Sequence, residues 1–231
     1  VLNEVGEVVG SKEVDDVNRG WFVGKDISAI WDHEFIGIWQ EDEAEEAAKY
    51  GQQPGDAKVR DVNGDYKITQ EDKVFLGQET PKFRWSFRNE FTLFRNWDIS
   101  LNLYSQMGHK QSTTEYLNFF DNLGDYSNTY KREYWTPENK SNSYARLKST
   151  RPSNINPKKV INKGFIRLEN ISVSYRVPQQ FARKLMAKEI SIYGTVRNVA
   201  VWAFDKEWDY WDPETKGLLP RTFTFGASIT F

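Results

Sequence analysis

The carboxy-terminal segment, Arg221 to Phe231, alternates apolar side chains with small or polar ones without interruption. Successive side chains of a β-strand point to opposite faces, so this pattern predicts a strand with one apolar and one polar face. The segment's eleven residues also match the roughly 9 to 11 that a tilted strand needs to cross a bilayer. We therefore interpret it as a membrane-facing strand. Its apolar row consists of Phe223, Phe225, Ala227, Ile229 and Phe231.

Four earlier segments show the same period of two. They cover residues 82–93, 97–107, about 165–177 and about 190–199. In the first of them the apolar row is strongly aromatic and the opposite row is charged, which is typical of a lipid-facing band backed by a wet lumen. The alternation changes phase within the third segment, which predicts a β-bulge there.

Residue parity within these segments predicts which side chains would face an aqueous lumen. The charged candidates on the polar side of the first two segments are Arg84, Arg88, Glu90 and Asp98. A shift of one residue would turn all of them toward the other face, so the assignment depends on the register.

The connections and the strand count together predict the fold class. The connections are short near residues 95–96, long over 108–164, moderate over 178–189 and longer again over 200–220. Outer-membrane barrels alternate short periplasmic turns with long outer loops. Five strands are too few to close a barrel, and the unpaired backbone groups at the edges of an open sheet are costly in lipid. We expect an all-β fold: an antiparallel transmembrane β-barrel portion, about five strands of a larger barrel, with long extracellular loops.

The chain divides by pattern into two regions. Residues 1–81 lack the long alternating segments and are predicted to form an extracellular loop region with a short helix over Glu41 to Tyr50, ended by Gly51. Residues 82–231 would supply the carboxy-terminal transmembrane strands and their loops. The longest apolar run, Phe35 to Trp39, is five residues, far below the roughly 20 of a membrane-spanning helix.

An Asp-rich segment over residues 61–72 has the oxygen-donor spacing of an EF-hand or dockerin-like calcium loop. Position six of such loops is normally glycine, whereas this chain has Tyr66. The alternative is a metal-free turn in which the same Asx side chains accept hydrogen bonds from backbone amides. The candidate Ca²⁺ ligands are Asp61, Asn63, Asp65, the Lys67 carbonyl, Thr69 and Asp72.

Aromatic residues concentrate in the loop that follows the fourth segment, next to several carboxylates. Planar rings beside carboxylates can stack on sugars or grip peptide side chains, and the alternative is an interfacial girdle or packing within the loop. The candidate substrate or lid contacts are Trp202, Trp208, Tyr210 and Trp211, together with Trp135 in the long 108–164 loop.

Composition argues against several other functions. Cysteine is absent and the two histidines, His33 and His109, lack metal-ligand spacing. The net charge of −2 does not suggest nucleic-acid binding. The lysines at 158, 159 and 163 are interpreted as a solvated loop. No phosphate-binding glycine loop or nucleophile elbow occurs, so we expect no enzyme activity.

An ordered series of motifs resembles the carboxy-terminal barrel portion of SusC/RagA-type TonB-dependent outer-membrane transporters of Bacteroidetes. The series covers roughly residues 22–231 and departs from the family pattern at Tyr66 and after Arg197-Asn198. Its elements are Gln53 to Asp56, Asp61 to Asp65, Gly77, Pro81 to Phe87, Trp135 to Asn139, Phe165 to Ile171, Arg197-Asn198, Asp212-Pro213 and Arg221 to Gly226 running into Phe231.

The resemblance implies an importer in the outer membrane, with a roughly 22-stranded barrel closed by an amino-terminal plug. It also implies a SusD-like lipoprotein lid, TonB contacted through an amino-terminal part that these residues lack, an oligosaccharide or peptide substrate, and a dimer of the transporter-lipoprotein pair. The alternative is a soluble calcium-dependent carbohydrate-binding or adhesion β-sandwich, which predicts that the apolar rows are buried against a second sheet.

Overall fold

The computed structural model describes residues 14–113, 133–208 and 211–231. The fold is all-β. It divides into two compact units. We call residues up to 80 together with 110–161 the loop unit, and residues 81–109 together with 162–231 the sheet unit.

The sheet unit is built on one antiparallel five-stranded sheet. Its strands fall on the five segments predicted from the sequence: β5 (Phe83–Leu93), β6 (Trp97–Met107), β9 (Phe165–Arg176), β10 (Glu189–Ala203) and β11 (Thr222–Thr230). The spatial order is β11-β10-β9-β6-β5, so β5 and β11 form the edges.

Two irregularities interrupt the ladders of this sheet. The pairing of β6 with β9 shifts between Asn102 and Leu103, where Glu169 is the extra residue of β9, and this confirms the predicted bulge. The pairing of β10 with β9 shifts between Arg197 and Ala200, where Asn198 has a φ of 53°. The extra residue of β10 accompanies the extra residue of β9, so the even-numbered residues of β10 keep the same face on both sides of the bulge.

The connections within the sheet unit use local helical turns and left-handed residues. Phe94 and Arg95 both have positive φ in the tight β5–β6 hairpin. Between β9 and β10, helix α2 (Gln179–Ala182) continues into a 3₁₀ turn over Arg183–Leu185. This turn lies in the moderate connection where the sequence predicted a helical turn.

The loop unit contains three two-stranded sheets of short strands. Strand β1 (Ala29–His33) pairs with β4 (Lys73–Gln78), β2 (Phe35–Ile38) with β3 (Ala57–Val59), and β7 (Lys110–Thr113) with β8 (Lys159–Asn162).

A 3₁₀ turn over Glu41–Glu43 leads into the short helix α1 (Ala44–Lys49), within the segment predicted to be helical. The buried centre of the loop unit is formed by Ile38, Ala57, Trp135 and Ala145. Across the described ranges, every helix is too short or too polar to span a membrane.

Candidate functional site

The five-stranded sheet exposes the side chains that a soluble protein would bury. Phe83 is 58% exposed, Phe225 80% and Ile229 53%. The register places Phe223 beside Val196 and Phe225 beside Gly194, so these side chains belong to one continuous apolar face. This arrangement differs from the sandwich alternative, in which the apolar rows are buried.

The opposite face of the sheet is polar. Register places Arg84 opposite Gln106, Arg88 opposite Asn102 and Glu90 opposite Ser100. Because Asp98 pairs with Thr92 in the same ladder, all four predicted lumen-facing residues share this face. The structure thus gives them a common side, and the lumen itself remains a prediction.

Hydrogen bonds link the polar side chains across the strands. Asp98 accepts from the Thr92 hydroxyl at 2.7 Å and from Arg176 at 3.0 Å. The Ser172 and Thr195 hydroxyls lie 2.8 Å apart. Cross-strand pairs of this kind fix the register, and here they keep the polar row on one side of the sheet.

At one end of the polar face, the segment after β10 folds back onto the sheet. Arg167 is buried and donates to Asp212 at 2.5 Å and to Asn198 at 3.2 Å. Glu214 accepts from the Tyr104 hydroxyl at 2.5 Å and from Gln106 at 3.1 Å. These contacts hold residues 212–214 against the sheet and cover part of the polar face.

Sequence reasoning missed this network. Arg167 and Asp212 both lie within the quoted motifs, but they are 45 residues apart. A local pattern does not show which distant side chains meet. The local sign of this network in the sequence is the Asp212-Pro213 pair, which is typical of a turn. Asp212 also accepts from the amides of Glu214 and Thr215, so it forms an Asx turn that directs the loop back toward the sheet.

In the Arg197-Asn198 motif, the asparagine has a conformational role. Asparagine tolerates positive φ better than most residues, and Asn198 occupies that conformation at the β10 bulge. The side-chain amide of Asn198 donates to the Pro220 carbonyl at 3.0 Å, while the guanidinium of Arg221 donates to the Val199 carbonyl at 2.7 Å. The start of β11 is thereby fastened to the bulge.

The predicted aromatic contacts occupy different local environments. Trp202 lies in β10 opposite Ile166, on the apolar face, and its indole is 53% exposed. This position favours the girdle alternative for Trp202. Trp208 donates to the Asn162 carbonyl at 2.7 Å, and Trp211 is exposed. Tyr210 lies outside the described residues.

Trp135 corrects the prediction made for it. Its side chain is buried in the loop unit, where its indole N–H donates to Gln40 at 3.0 Å. A ring that fills a core has no surface for a solute or a lid, so Trp135 is a packing residue and not a contact residue.

The Asp-rich loop forms a tight turn of Asx hydrogen bonds. Asp61 accepts from the amides of Gly64 at 2.7 Å and Tyr66 at 2.9 Å. Asn63 accepts from the Asp65 amide at 3.0 Å, and Asp65 accepts from the Lys67 amide at 2.8 Å. Tyr66 has the positive φ, 62°, that its place in the motif demands.

The remaining predicted ligands close the same loop. Asp72 is buried and accepts from the amides of Val62 at 2.9 Å and Thr69 at 2.7 Å. The Thr69 hydroxyl accepts from the Glu71 amide at 3.2 Å. Within the part of the chain that the structure describes, no group of three or more histidine or acidic side chains is placed to hold a metal ion. Calcium binding stays a prediction.

The loop's charge is coupled to a neighbouring tyrosine. Burial, followed by the hydrogen bond to Asp61 at 3.1 Å, raises the pKa of Tyr50 to about 12. Burial alone would raise the pKa of Asp61, but the amides of Gly64 and Tyr66 and the Tyr50 hydroxyl together lower it. Asp61 is therefore held as a carboxylate.

Comparison with known proteins gives two similar curated sequences. The TonB-dependent receptor P26 of Formosa agariphila is 26% identical over 98% of this chain. The TonB-dependent receptor P3 of the same organism is 23% identical over 90% of this chain. The chain is related to the TonB-dependent receptors. It spans about a quarter of their length: 24% of P26 and 22% of P3.

Solved structures of the RagAB peptide importer share the fold. The "open-open" state superposes with a TM-score of 0.59 at 15% identity, covering 88% of this chain and 22% of that one. The "closed-closed" state gives 0.60 at 17% identity, with 88% and 23% covered. No protein-family model matches. The predicted resemblance to RagA-type TonB-dependent transporters is confirmed.

Proposed function

We propose that this chain is the carboxy-terminal portion of a TonB-dependent outer-membrane importer. In this role its five-stranded sheet is part of the barrel wall, with the apolar face toward lipid and the polar face toward the lumen. Residues 1–81 would then form an extracellular region. The relatives are named as receptors and transporters, which fits a role in import and not in catalysis.

The exposed apolar face is the single observation that most supports this proposal. Fully burying a large apolar side chain is worth about 1.5 to 3 kcal/mol relative to exposing it to water. Phe223, Phe225 and Ile229 leave much of that gain unused if water is the neighbour. Hydrocarbon on that side removes the penalty, and the opposite polar face then meets an aqueous interior.

The edges of the sheet support the same assignment. Both β5 and β11 end the ladder in the described part of the chain, so each presents unpaired backbone groups on one side. In lipid such groups must be paired. The related receptors are about four times longer than this chain, so we propose that strands outside these residues close the barrel around a plug.

The proposed partners follow from the same assignment. They are a SusD-like lipoprotein over the outer loops, TonB acting through the plug region, and a dimer of the transporter-lipoprotein pair. The RagAB structures are titled as a peptide importer. For this chain we propose an oligosaccharide or a peptide as the imported solute.

The test is made on the natural protein extracted from cells. We expect it to remain with the membrane until detergent is added, and to migrate faster on a gel before boiling than after. Release in aqueous buffer with no heat-dependent shift would instead support the soluble β-sandwich. Pull-down of the detergent-extracted protein should recover a lipoprotein, and loss of the gene should abolish growth on one class of oligomeric nutrient.

A further inference from the structure

The loop unit contains an open cleft of about 570 Å³ whose charged lining is mostly basic. A volume of this size is ordinary for a small-molecule site. Of the residues that the structure describes, four cationic side chains and one carboxylate line it: Arg60, Lys110, Lys158, Lys159 and Glu34. The cleft therefore has an excess of positive charge in a chain whose overall charge is −2.

Two of these lysines are not neutralised by a carboxylate. Among the described residues, neither Lys110 nor Lys158 forms an ion pair with an acidic side chain. Lys110 donates to the Leu76 carbonyl at 3.0 Å, which orients its ammonium group but leaves its charge intact. Lys158 is held by its backbone, which bonds to His33 at 2.8 Å and Phe35 at 3.1 Å.

The single acidic side chain in the cleft is already engaged. Glu34 accepts from Arg60 at 3.0 Å, and the backbone of Arg60 donates to the Glu34 carbonyl at 3.0 Å. Glu34 therefore offsets the charge of Arg60, and does not offset those of Lys110 and Lys158. Exposed pairs of this kind contribute only about 0–1 kcal/mol, so an incoming anion can compete with Glu34 for the guanidinium.

Two glycines shape the walls so that polar side chains reach the cleft. Gly77 has a φ of 147°, and a Cβ there would lie 2.6 Å from Cδ of Lys110, so only glycine lets the Lys110 stem pass. Gly37 has a φ of 137°, and a Cβ there would lie 2.5 Å from Oδ1 of Asn142. Both glycines sit at register shifts of their strand pairs.

Asn142 adds a neutral donor to this basic lining. Its Oδ1 accepts from the Ile38 amide at 2.8 Å, which fixes the orientation of the amide group. The NH₂ side then remains as a donor. Exposed Phe75 and Ile36 provide apolar surface beside these groups.

We propose that this cleft binds an oxyanion carried by the solute, namely the carboxylates of an acidic oligomer. Ammonium and guanidinium groups bind carboxylates through short charge-assisted hydrogen bonds, and the exposed side chains of Phe75 and Ile36 offer apolar surface for the carbon skeleton. Uronate units of a glycan and acidic side chains of a peptide present the same chemistry. The physiological meaning of the cleft, selection of an acidic nutrient, rests on the proposed import function, but the binding itself does not.

The test measures binding to the purified natural protein in detergent by calorimetry. The probes are a short oligogalacturonate, a short polyglutamate peptide and a neutral maltooligosaccharide. We expect at least one acidic probe to bind and to weaken as salt is raised, because exposed charges are screened. The neutral probe should not bind at this cleft. Which acidic probe binds identifies the source of the carboxylate.

Two variants of opposite expected effect separate the proposal from simple misfolding. Lys110→Gln combined with Lys158→Gln should weaken binding about tenfold or more, since a charged hydrogen bond is worth about 1.5–3 kcal/mol. Glu34→Gln should tighten binding, because it frees Arg60. The matched control, Lys184→Gln with Lys188→Gln, removes the same charge from exposed sites elsewhere and should leave the affinity unchanged.

Three results would overturn the proposal: neither acidic probe binds, the double lysine variant binds as the control does, or Glu34→Gln weakens binding. None of these results touches the import assignment, which is decided by detergent extraction and heat-dependent migration. Conversely, the protein could prove soluble and still bind acidic probes with the expected variant pattern. That result would refute the proposed import function and support the proposed binding site.

Discussion

In the loop unit the indole of Trp135 is 7% exposed, whereas in the sheet unit the ring of Phe225 is 80% exposed. Trp135 packs with Ile38, Ala57 and Ala145, while Phe225 forms part of an open row on one face of the sheet. The loop unit thus gains stability by removing apolar surface from water. The sheet unit leaves this row exposed, which is the arrangement that the proposed lipid-facing role requires.

The two units also differ in how their backbones are satisfied. Strands in the sheet unit run from 9 to 15 residues and pair in long ladders. The described strands of the loop unit are only three to six residues long. Side chains complete the bonding there: buried Asp56 accepts from the amides of Gln53 at 3.0 Å and Thr150 at 2.8 Å, and from Arg146 at 2.9 Å.

Each unit therefore has a different weak point. In the proposed role the sheet unit depends on which face meets lipid, so a misplaced charge should damage it most. The loop unit depends on a small core and a few buried polar groups, so a cavity or a steric clash should damage it most.

Truncation of the loop-unit core is expected to have the largest effect. Trp135→Ala should lower the free energy of unfolding by about 3–5 kcal/mol, because it leaves a large cavity and removes the partner of Gln40. Trp202→Ala is the matched control, since its ring is already 53% exposed, and it should cost about 1 kcal/mol. Denaturant unfolding in detergent measures both. Equal losses would mean that Trp135 does not anchor a core.

A charge on the apolar face is the next most severe change. Phe87→Arg, in the middle of β5, should cost about 2–4 kcal/mol if this face meets the bilayer midplane. The control is its neighbour, Ser86→Arg, on the polar face that already contains Arg84 and Arg88, which should be nearly neutral. Folding yield into lipid vesicles measures the difference. Similar yields for both variants would contradict a lipid-facing assignment.

Two glycines of the loop unit separate packing from backbone strain. Gly55 and Gly51 both have positive φ, at 88° and 69°. A Cβ at Gly55 would overlap the Trp135 ring, whereas one at Gly51 would meet nothing within 4 Å. Gly51→Ala should therefore cost about 1 kcal/mol of backbone strain, and Gly55→Ala about 2–3 kcal/mol because overpacking is added. Thermal unfolding in detergent compares them, and equal shifts would show that the core yields.

Acidification should weaken the sheet unit next to the end of β6. His109 is buried, its Nδ1 has no hydrogen-bond partner in the described residues, and burial, followed by the charges of Lys163 and Arg84, lowers its pKa. Folding thus disfavours the protonated ring. The stability from neutral His109 is fully present above its ordinary pKa of 6.5, and it is lost as pH falls below that value through the lowered pKa of the folded state.

The measurement is the free energy of unfolding from about pH 8 to about pH 5. His109→Gln, which does not titrate, should show a shallower fall over this range than the unsubstituted protein. Parallel curves for the two proteins would mean that another group produces the pH dependence.

The sequence predicted the sheet better than its irregularities. The period of two along β5, β6 and β11 is a local signal that needs no partner strand, and parity alone placed Arg84 and Asp98 on the same face. The bulge in β10 was not predicted: the fourth segment was expected to end near Val199, but the strand continues to Ala203 through the bulge at Asn198. A left-handed residue inside a strand leaves no trace in hydrophobic periodicity.

The candidate sites were harder to predict for a related reason. Aromatic residues look alike in a sequence whether they fill a core, as Trp135 does, or line an apolar face, as Trp202 does. The pairing of Arg167 with Asp212 and the meeting of Lys110, Lys158 and Arg60 at one cleft join residues that are far apart in the chain. Only the tertiary fold brings them together.

The smallest effect is expected at the Asp-rich loop, where Tyr66 stands in place of the usual glycine. The positive φ of Tyr66 should cost about 1 kcal/mol, and Tyr66→Gly would relieve this strain. The same substitution removes the contact between the rings of Tyr66 and Tyr50, whose centroids lie 5.5 Å apart, so the net gain in stability is smaller. For the loop to take calcium, Asp61, Asp65 and Asp72 must exchange amide hydrogen bonds for the ion. A relaxed backbone makes that exchange easier.

We therefore expect calcium to raise the unfolding temperature slightly in the unsubstituted protein and more in Tyr66→Gly, with magnesium as the control cation. Asp61→Asn should abolish the calcium response in both backgrounds, because it removes a charged ligand while keeping an acceptor for the Gly64 amide. If calcium shifts neither protein, the loop is a metal-free turn whose carboxylates serve only as acceptors for backbone amides.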